Sequence, residues 1–436
     1  MTISIRWRSL LMMGALAVFL APVAWTGEPE GHWEGSIEIP GTALGVSVEL
    51  TENGGVWSGT IDIPLQGARG LLLTGIAVDG SAVQFAIAAV PGDPTFKGTL
   101  EGAEIHGTFT QGGQSFPFKL VRGNPAAVEP KPASREDAGG EPIELGTETG
   151  TLGGMLQLPE GDGPHPVALI VAGSGPTDRD GNNPLIPGRN DSLKMIAEAL
   201  AETGVASVRY DKRGLGTSAG AGKPESELRF EDFVDDAVAW IRMLQADERF
   251  GRVGVVGHSE GSLIGMLAAR KTEADAFVSI AGPGKPAAEI LIKQFASQPE
   301  EFRTEATHII GELLEGRQVA DVNPLLGQAF RESVQPYLIS WFRYDPAAEI
   351  AKLNVPVLIV QGTTDIQIGV EEGQLLHEAK PDATYAVIEG MNHVLKQAPA
   401  ERAANAAAYS DPSLPLVPEF ADALTEFLST TLTPAP

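Results

Sequence analysis

The sequence has no cysteine among its 436 residues. Disulfides, thiolate nucleophiles, Cys-ligated zinc, iron–sulfur clusters and a lipidated N-terminal cysteine are therefore excluded, and the redox compartment is left open. Positive charge is also scarce: 31 Lys plus Arg stand against 57 Asp plus Glu, a formal net charge of −26. A nucleic-acid binder needs a basic footprint to neutralise phosphates, so no nucleic-acid partner is expected. Recruitment to an anionic membrane by charge is disfavoured for the same reason. Beyond the N-terminus no apolar run is long enough to cross a bilayer. No His or carboxylate spacing resembles a metal-ligand set and no nucleotide-binding loop is present, so neither a metal nor a cofactor is expected.

What is present begins with Arg6 and Arg8, followed by an uncharged stretch from Leu10 to Ala24. Pro22 shortens this stretch further, and it reads as a signal peptide over residues 1–24. An exported protein, periplasmic or extracellular, is expected. Pro22 suits a cut after Ala24 poorly, so removal and retention as an anchor both stay open. The 43% hydrophobic and 20% charged residues match a globular chain, long enough for two or three domains.

Residues 30–122 read as an all-β domain. Ser36 to Ile39 and Val46 to Leu50 alternate polar and apolar residues, and Asn53-Gly54 and Asp79-Gly80 are hairpin turns. A loose echo places a glycine inside four strand-like runs, at Gly35, Gly59, Gly98 and Gly107. Glycine there marks a bend, so a curved meander or small barrel is expected. Residues 123–142 hold four prolines and three glycines, the composition of a linker.

From residue 143 to 430 the pattern is α/β. Val167 to Val171, Val205 to Val208, Val253 to Val256, Ala276 to Ile280 and Val357 to Val360 are near-continuous apolar runs, as in strands buried on both faces. Helical stretches alternate with them: Ser192 to Glu202, Phe230 to Leu244, Ser262 to Arg270 and Gly369 to Glu378. A doubly wound, mostly parallel sheet follows. Residues 283–345 break the rhythm and read as a helical cap inserted over one end of the sheet.

The sharpest signal is Gly257-His258-Ser259-Glu260-Gly261, lying between an apolar strand and a helix. That context throws a serine hydroxyl out above a sheet, and makes Ser259 the candidate nucleophile. A serine needs a base, itself oriented by a carboxylate. Of seven histidines, His393 follows a strand, Tyr385 to Ile388, at the edge where ligand crevices of open sheets lie. Asp365 follows the strand Val357 to Val360 at the same edge; the alternative for it is a helix cap, and Asp345 is the rival acid. Two backbone donors for a developing oxyanion are expected from Glu260 and from Ser174, with Gly175 as the alternative to Ser174. Arg179 is expected to pair with Asp178, Asp180 or Asp211 and to shape its loop.

With Gly257 to Gly261, the loop Gly173 to Gly181, the run Asp211 to Ser218, Asp365 and His393 in view, residues 143–430 resemble an α/β-hydrolase of the serine esterase and prolyl-oligopeptidase-like group. The resemblance implies a doubly wound sheet and a Ser259, Asp365, His393 triad. It implies that the charged residues of the Asp211 stretch brace the loop below the site.

The resulting expectation is an exported serine hydrolase that cleaves carboxylic esters of small molecules through an acyl-enzyme. Two alternatives stand beside it. One is an amidase or peptidase using the same triad, with Glu300, Glu301 and Glu305 available to grip an α-amino group. The other is a protein whose β domain binds a surface polymer. In the cap, Tyr337, Trp341 and Tyr344 recur at helical spacing; packing on the core and lining an acyl pocket are both open, and Trp341 and Tyr337 are the substrate-binding candidates.

Overall fold

The computed structural model describes residues 29–39, 42–63, 68–87, 94–111, 114–123, 140–183, 188–296, 298–323 and 326–433. The expected signal segment 1–24 and most of the expected linker lie outside the described residues. The chain divides into two compact units.

The first unit is a closed antiparallel barrel. Its strands are β1 (Gly31–Ile39), β2 (Thr42–Asn53), β3 (Val56–Ile63), β4 (Ala68–Asp79), β5 (Ala82–Ile87), β6 (Thr95–Glu101), β7 (Glu104–Gln111) and β8 (Gln114–Arg122). They are ordered as in sequence, and β1 pairs with β8 to close the ring. Alternation decides what fills it: in β5, Val83, Phe85 and Ile87 are buried while Ala82 and Gln84 are exposed. Phe96 lies at the centre, 4.7 Å from Phe85, 4.8 Å from Phe109 and 5.0 Å from Phe118 between ring centroids. The strand glycines permit the curvature. A β-carbon at Gly35 would lie 1.8 Å from the Lys119 carbonyl oxygen, and one at Gly107 would lie 2.1 Å from that of Lys97.

The second unit holds an eight-stranded sheet in the order β16-β15-β14-β13-β11-β12-β10-β9. Strands β11 (His165–Val171), β12 (Ala206–Tyr210), β13 (Phe250–His258), β14 (Ala276–Ile280), β15 (Val357–Gly362) and β16 (Thr384–Ile388) are parallel. An antiparallel hairpin of β9 (Glu141–Thr147) and β10 (Gly150–Gln157) forms one edge, so Glu141 and Pro142 belong to the sheet rather than to the linker. The helices are α1 (Ser192–Glu202), α2 (Phe230–Ala246), α3 (Glu260–Thr272), α4 (Ala287–Phe295), α5 (Glu300–Leu314), α6 (Gly327–Phe330), α7 (Gln335–Trp341), α8 (Pro346–Ile350), α9 (Val370–Ala379), α10 (Arg402–Ala407) and α11 (Pro418–Leu432). Among the described residues no helix is long and apolar enough to cross a membrane.

Two apolar cores flank the sheet. Residues of α2 and α3 pack one face with Leu169, Val255 and Ile359. Residues of α1 and α11 pack the other with Ile170, Val256 and Leu358. Successive residues of one strand thus enter opposite cores, which is why these strands read as unbroken apolar runs. The insertion carries α4 to α7, and Ile309, Ile310, Phe330 and Leu338 extend the core around α2. Its loop after β14 is tied to α9, where the Glu372 carboxylate accepts the N–H groups of Gly284 and Lys285, each at 3.1 Å.

Candidate active site

Strand β13 runs straight into α3, leaving Ser259 alone in the turn with φ 56° and ψ −123°. A non-glycine residue in that region is strained, and the fold holds it there by close approach on both sides. A β-carbon at Gly257 would lie 2.2 Å from the Gly261 carbonyl oxygen, and one at Gly261 would lie 2.3 Å from that of Val171. Both glycines of the motif are therefore steric requirements. The Ser259 N–H donates to the Ile280 carbonyl at 2.9 Å, fixing the turn against β14.

The loops after β15 and β16 bring the acid to the histidine. His393 Nδ1 lies 2.8 Å from Asp365 Oδ2, with both side chains buried. A carboxylate only accepts, so Nδ1 carries the proton and Nε2 keeps its lone pair. The other oxygen, Oδ1, accepts the N–H groups of Gln367 at 2.8 Å and Ile368 at 2.9 Å. Asp365 does not cap the next helix, α9, whose N-cap is Gly369 without a side-chain bond; its Oδ1 holds the turn that precedes the helix. Burial alone would raise its carboxyl, but the His393 ring and these two N–H groups outweigh burial and hold it below the usual carboxylate range. Asp345, the rival, caps α8 through Ala347 and Ala348.

His258 takes a part that sequence reasoning gave it no reason to have. Its Nε2 donates to the His393 backbone carbonyl at 2.8 Å, and the two rings lie 4.8 Å apart between centroids. Burial, followed by the neighbouring His393 ring, pushes its pKa down to about 4, so it is neutral and serves as a brace. Asn392 secures the same loop, its Oδ1 accepting from Val394 and Lys396.

The loop after β11 passes beside the nucleophile: a β-carbon on Gly173 would lie 3.1 Å from the Ser259 Cβ. The loop is fixed by buried ion pairs, Arg179 to Asp211 at 3.1 Å and Arg209 to Asp180 at 2.8 Å. Asp211 is thus the partner of Arg179. Among the described residues, neither the Ser174 N–H nor that of Glu260 has a protein acceptor.

Two further side chains meet here: Lys212, from the run expected to brace the loop, and Tyr337, a substrate-binding candidate that instead bonds Glu260. Lys212 Nζ donates to the Gly173 carbonyl at 2.6 Å and lies 3.7 Å from Glu260 Oε2. The Tyr337 hydroxyl donates to Glu260 Oε1. Tyr337 is buried against Phe233, at 5.9 Å between ring centroids. Trp341 stacks on Phe230 at 6.0 Å and 10°. The cap aromatics therefore form a packed cluster. A cavity of about 410 Å³ beside the acid loop is lined instead by Gln294, Ile366, Gln367, Arg402, Ala406 and Tyr409.

A mostly parallel sheet with a strained serine between strand and helix, and with a paired Asp and His in the loops of the next strands, is the arrangement of the α/β-hydrolase fold, which residues 141–433 adopt. A family model described as serine aminopeptidase, S33, matches residues 186–337. That segment contains the Ser259 turn and stops short of Asp365 and His393. Esterase EstD of Thermotoga maritima is 28% identical over 250 residues, which is 56% of this chain and 58% of that protein. The chain thus spans somewhat over half the length of this curated relative. Among solved structures, Est1E from Butyrivibrio proteoclasticus with bound ferulic acid is similar at 17% identity and a TM-score of 0.46, covering 66% of this chain and 98% of its own. An esterase from Pyrococcus furiosus is similar at 17% identity and a TM-score of 0.43, covering 67% and 91%.

Proposed function

We propose that the protein is a serine hydrolase of carboxylic esters. The observation that carries the reading is the buried Asp365–His393 hydrogen bond in the loops beside a serine held at positive φ. In this reading His393 Nε2 accepts the Ser259 proton as Oγ attacks the ester carbonyl carbon. The carbonyl π pair moves to oxygen and is stabilised by the N–H groups of Ser174 and Glu260. Collapse expels the alkoxide, which takes the proton from His393 and leaves an acyl-enzyme. Water, deprotonated by His393, then releases the acid and restores Ser259. Metal and cofactor play no part in these steps.

Esterase EstD supports the ester as substrate. The aminopeptidase family match favours a second reading, in which the same groups cleave an amide. Of the cap acids suited to gripping an amino group, Glu305 is already engaged by the Asn323 N–H at 2.9 Å. Export belongs to the proposal too, and rests on the sequence of residues 1–24.

The test is turnover of 4-nitrophenyl esters against aminoacyl anilides of matched acyl size, together with labelling by a fluorophosphonate. Faster ester turnover with labelling lost in Ser259→Ala is expected. Anilide turnover exceeding ester turnover would favour the amidase, and labelling that survives in the variant would exclude Ser259 as the nucleophile.

A further inference from the structure

The proposed mechanism asks the Ser174 N–H to face the reacting carbonyl, yet Ser174 is exposed between two glycines, and the ion pairs that fix this loop begin only at Arg179. Something must fix it. A trans peptide points its C=O and the following N–H in opposite directions, so the group that grips the Gly173 oxygen also aims the Ser174 N–H. That group is the Lys212 ammonium at 2.6 Å.

The ammonium is itself held. It is buried, 3.7 Å from Glu260 Oε2 and 5.4 Å from the centroid of the Phe233 ring. The other Glu260 oxygen takes the Tyr337 hydroxyl of α7. Glu260 is also the residue whose own N–H is the other expected donor. One chain of contacts, Tyr337 to Glu260 to Lys212 to Gly173, therefore runs from the cap to both donors.

We infer that Lys212 is a positioning residue of the oxyanion hole, locking the Gly173–Ser174 peptide so that the Ser174 N–H faces the reacting carbonyl, with Glu260 and the cap residue Tyr337 holding the ammonium in place. The energetics favour such a use. A buried ammonium is costly unless well partnered, and burial lowers the pKa of this one despite Glu260. An apolar residue would fill the space at less cost. Lysine adds a charge-assisted bond to one particular carbonyl.

The inference rests on the ester-hydrolase reading, and the experiment separates the two. The full chain is assayed with an aryl ester and with its thiono analogue, in which C=S replaces C=O. Sulfur accepts hydrogen bonds poorly, so an oxyanion hole that is correctly aimed favours the oxygen ester. Lys212→Met is expected to lower kcat for the oxygen ester ~100-fold, within the range for losing one oxyanion donor, with KM changed less than ~3-fold. The oxygen-to-thiono rate ratio should fall at least ~10-fold. An unchanged ratio, with or without a fall in kcat, overturns the inference, because a merely structural loss slows both esters alike. If Lys212→Met does not fold, Tyr337→Phe decides by the same ratio, since it removes one hydroxyl and keeps the ring. A parent protein that turns over neither ester would remove the ester-hydrolase reading and this inference with it. An active parent with an unmoved ratio would remove the inference alone.

Discussion

The barrel and the α/β sheet each use eight strands. Barrel strands bury one side and show the other, as in β5, whereas β14 and β15 are buried along their whole length. The difference teaches where chemistry can sit. A closed ring of strands with an interior filled by Phe85, Phe96, Trp33 and their neighbours leaves, among the described residues, polar groups only on its outer wall. There His32 meets Glu34 and Glu49, with the Ser47 hydroxyl 3.5 Å from its Nε2, on a wall of strand rather than in a loop crevice. An open parallel sheet ends all its parallel strands at one edge. The loops after β11, β13, β15 and β16 deliver Ser174, Ser259, Asp365 and His393 to that edge from distant parts of the chain.

The comparison is broken most decisively at the edge itself. Ser259→Ala and His393→Ala should each lower kcat by about 10⁴-fold or more, with the thermal unfolding profile left intact in Ser259→Ala. A loss below ~10-fold, read by ester turnover, would move the chemistry elsewhere. In the barrel the largest lever is Phe96→Ala, which empties a fully buried aromatic site and should cost about 3–5 kcal/mol. Calorimetry should show one transition lowered, with kcat/KM for a small ester within ~2-fold of the parent. A parallel fall in activity would show that the ring of strands supports the site.

A finer contrast comes from His258. Its pKa of about 4 in the fold lies below the ordinary 6.5, so between those values the unfolded chain binds the extra proton. Stability from this residue is complete above pH ~6.5 and is lost as pH falls towards 4, by on the order of 3 kcal/mol. His258→Gln keeps a donor for the His393 carbonyl and removes the titration. Urea midpoints at pH 7 and pH 4.5 should therefore converge in the variant relative to the parent. Trp341→Ala has the smallest expected effect, about 2 kcal/mol, because the ring is only half-buried. Its stacking on Phe230 predicts a lowered Tm with all esters slowed alike. A changed ranking of esters by acyl length would return Trp341 to the acyl pocket.

What could be read from the sequence was whatever is local in the chain. The nucleophile turn is written in five consecutive residues, and Asp365 and His393 each sit a few residues past an apolar strand. A helix cap was the alternative for Asp365, but α9 is capped at Gly369 without a side-chain bond, and the second Asp365 oxygen holds the turn before it. Distant pairings were legible only where a motif announced both partners, as for Asp365 with His393. Lys212 reaches Gly173 across 39 positions and His258 reaches His393 across 135, and no periodicity announces either. The β9–β10 hairpin was hidden because Gly150, Gly153 and Gly154 interrupt the alternation that marks a strand. Curvature of the first unit could be inferred from its glycines, but the pairing of β1 with β8 leaves no local mark.

The backbone angle at Ser259 sets stability and activity against each other at one codon. Glycine adopts that conformation without a steric penalty, whereas serine is held there at a cost of about 1–3 kcal/mol. Any selection that rewards heat resistance and ignores turnover would therefore favour glycine at position 259 and discard the hydroxyl. A library of this protein screened only for survival at high temperature should lose its enzyme through its best-folded members.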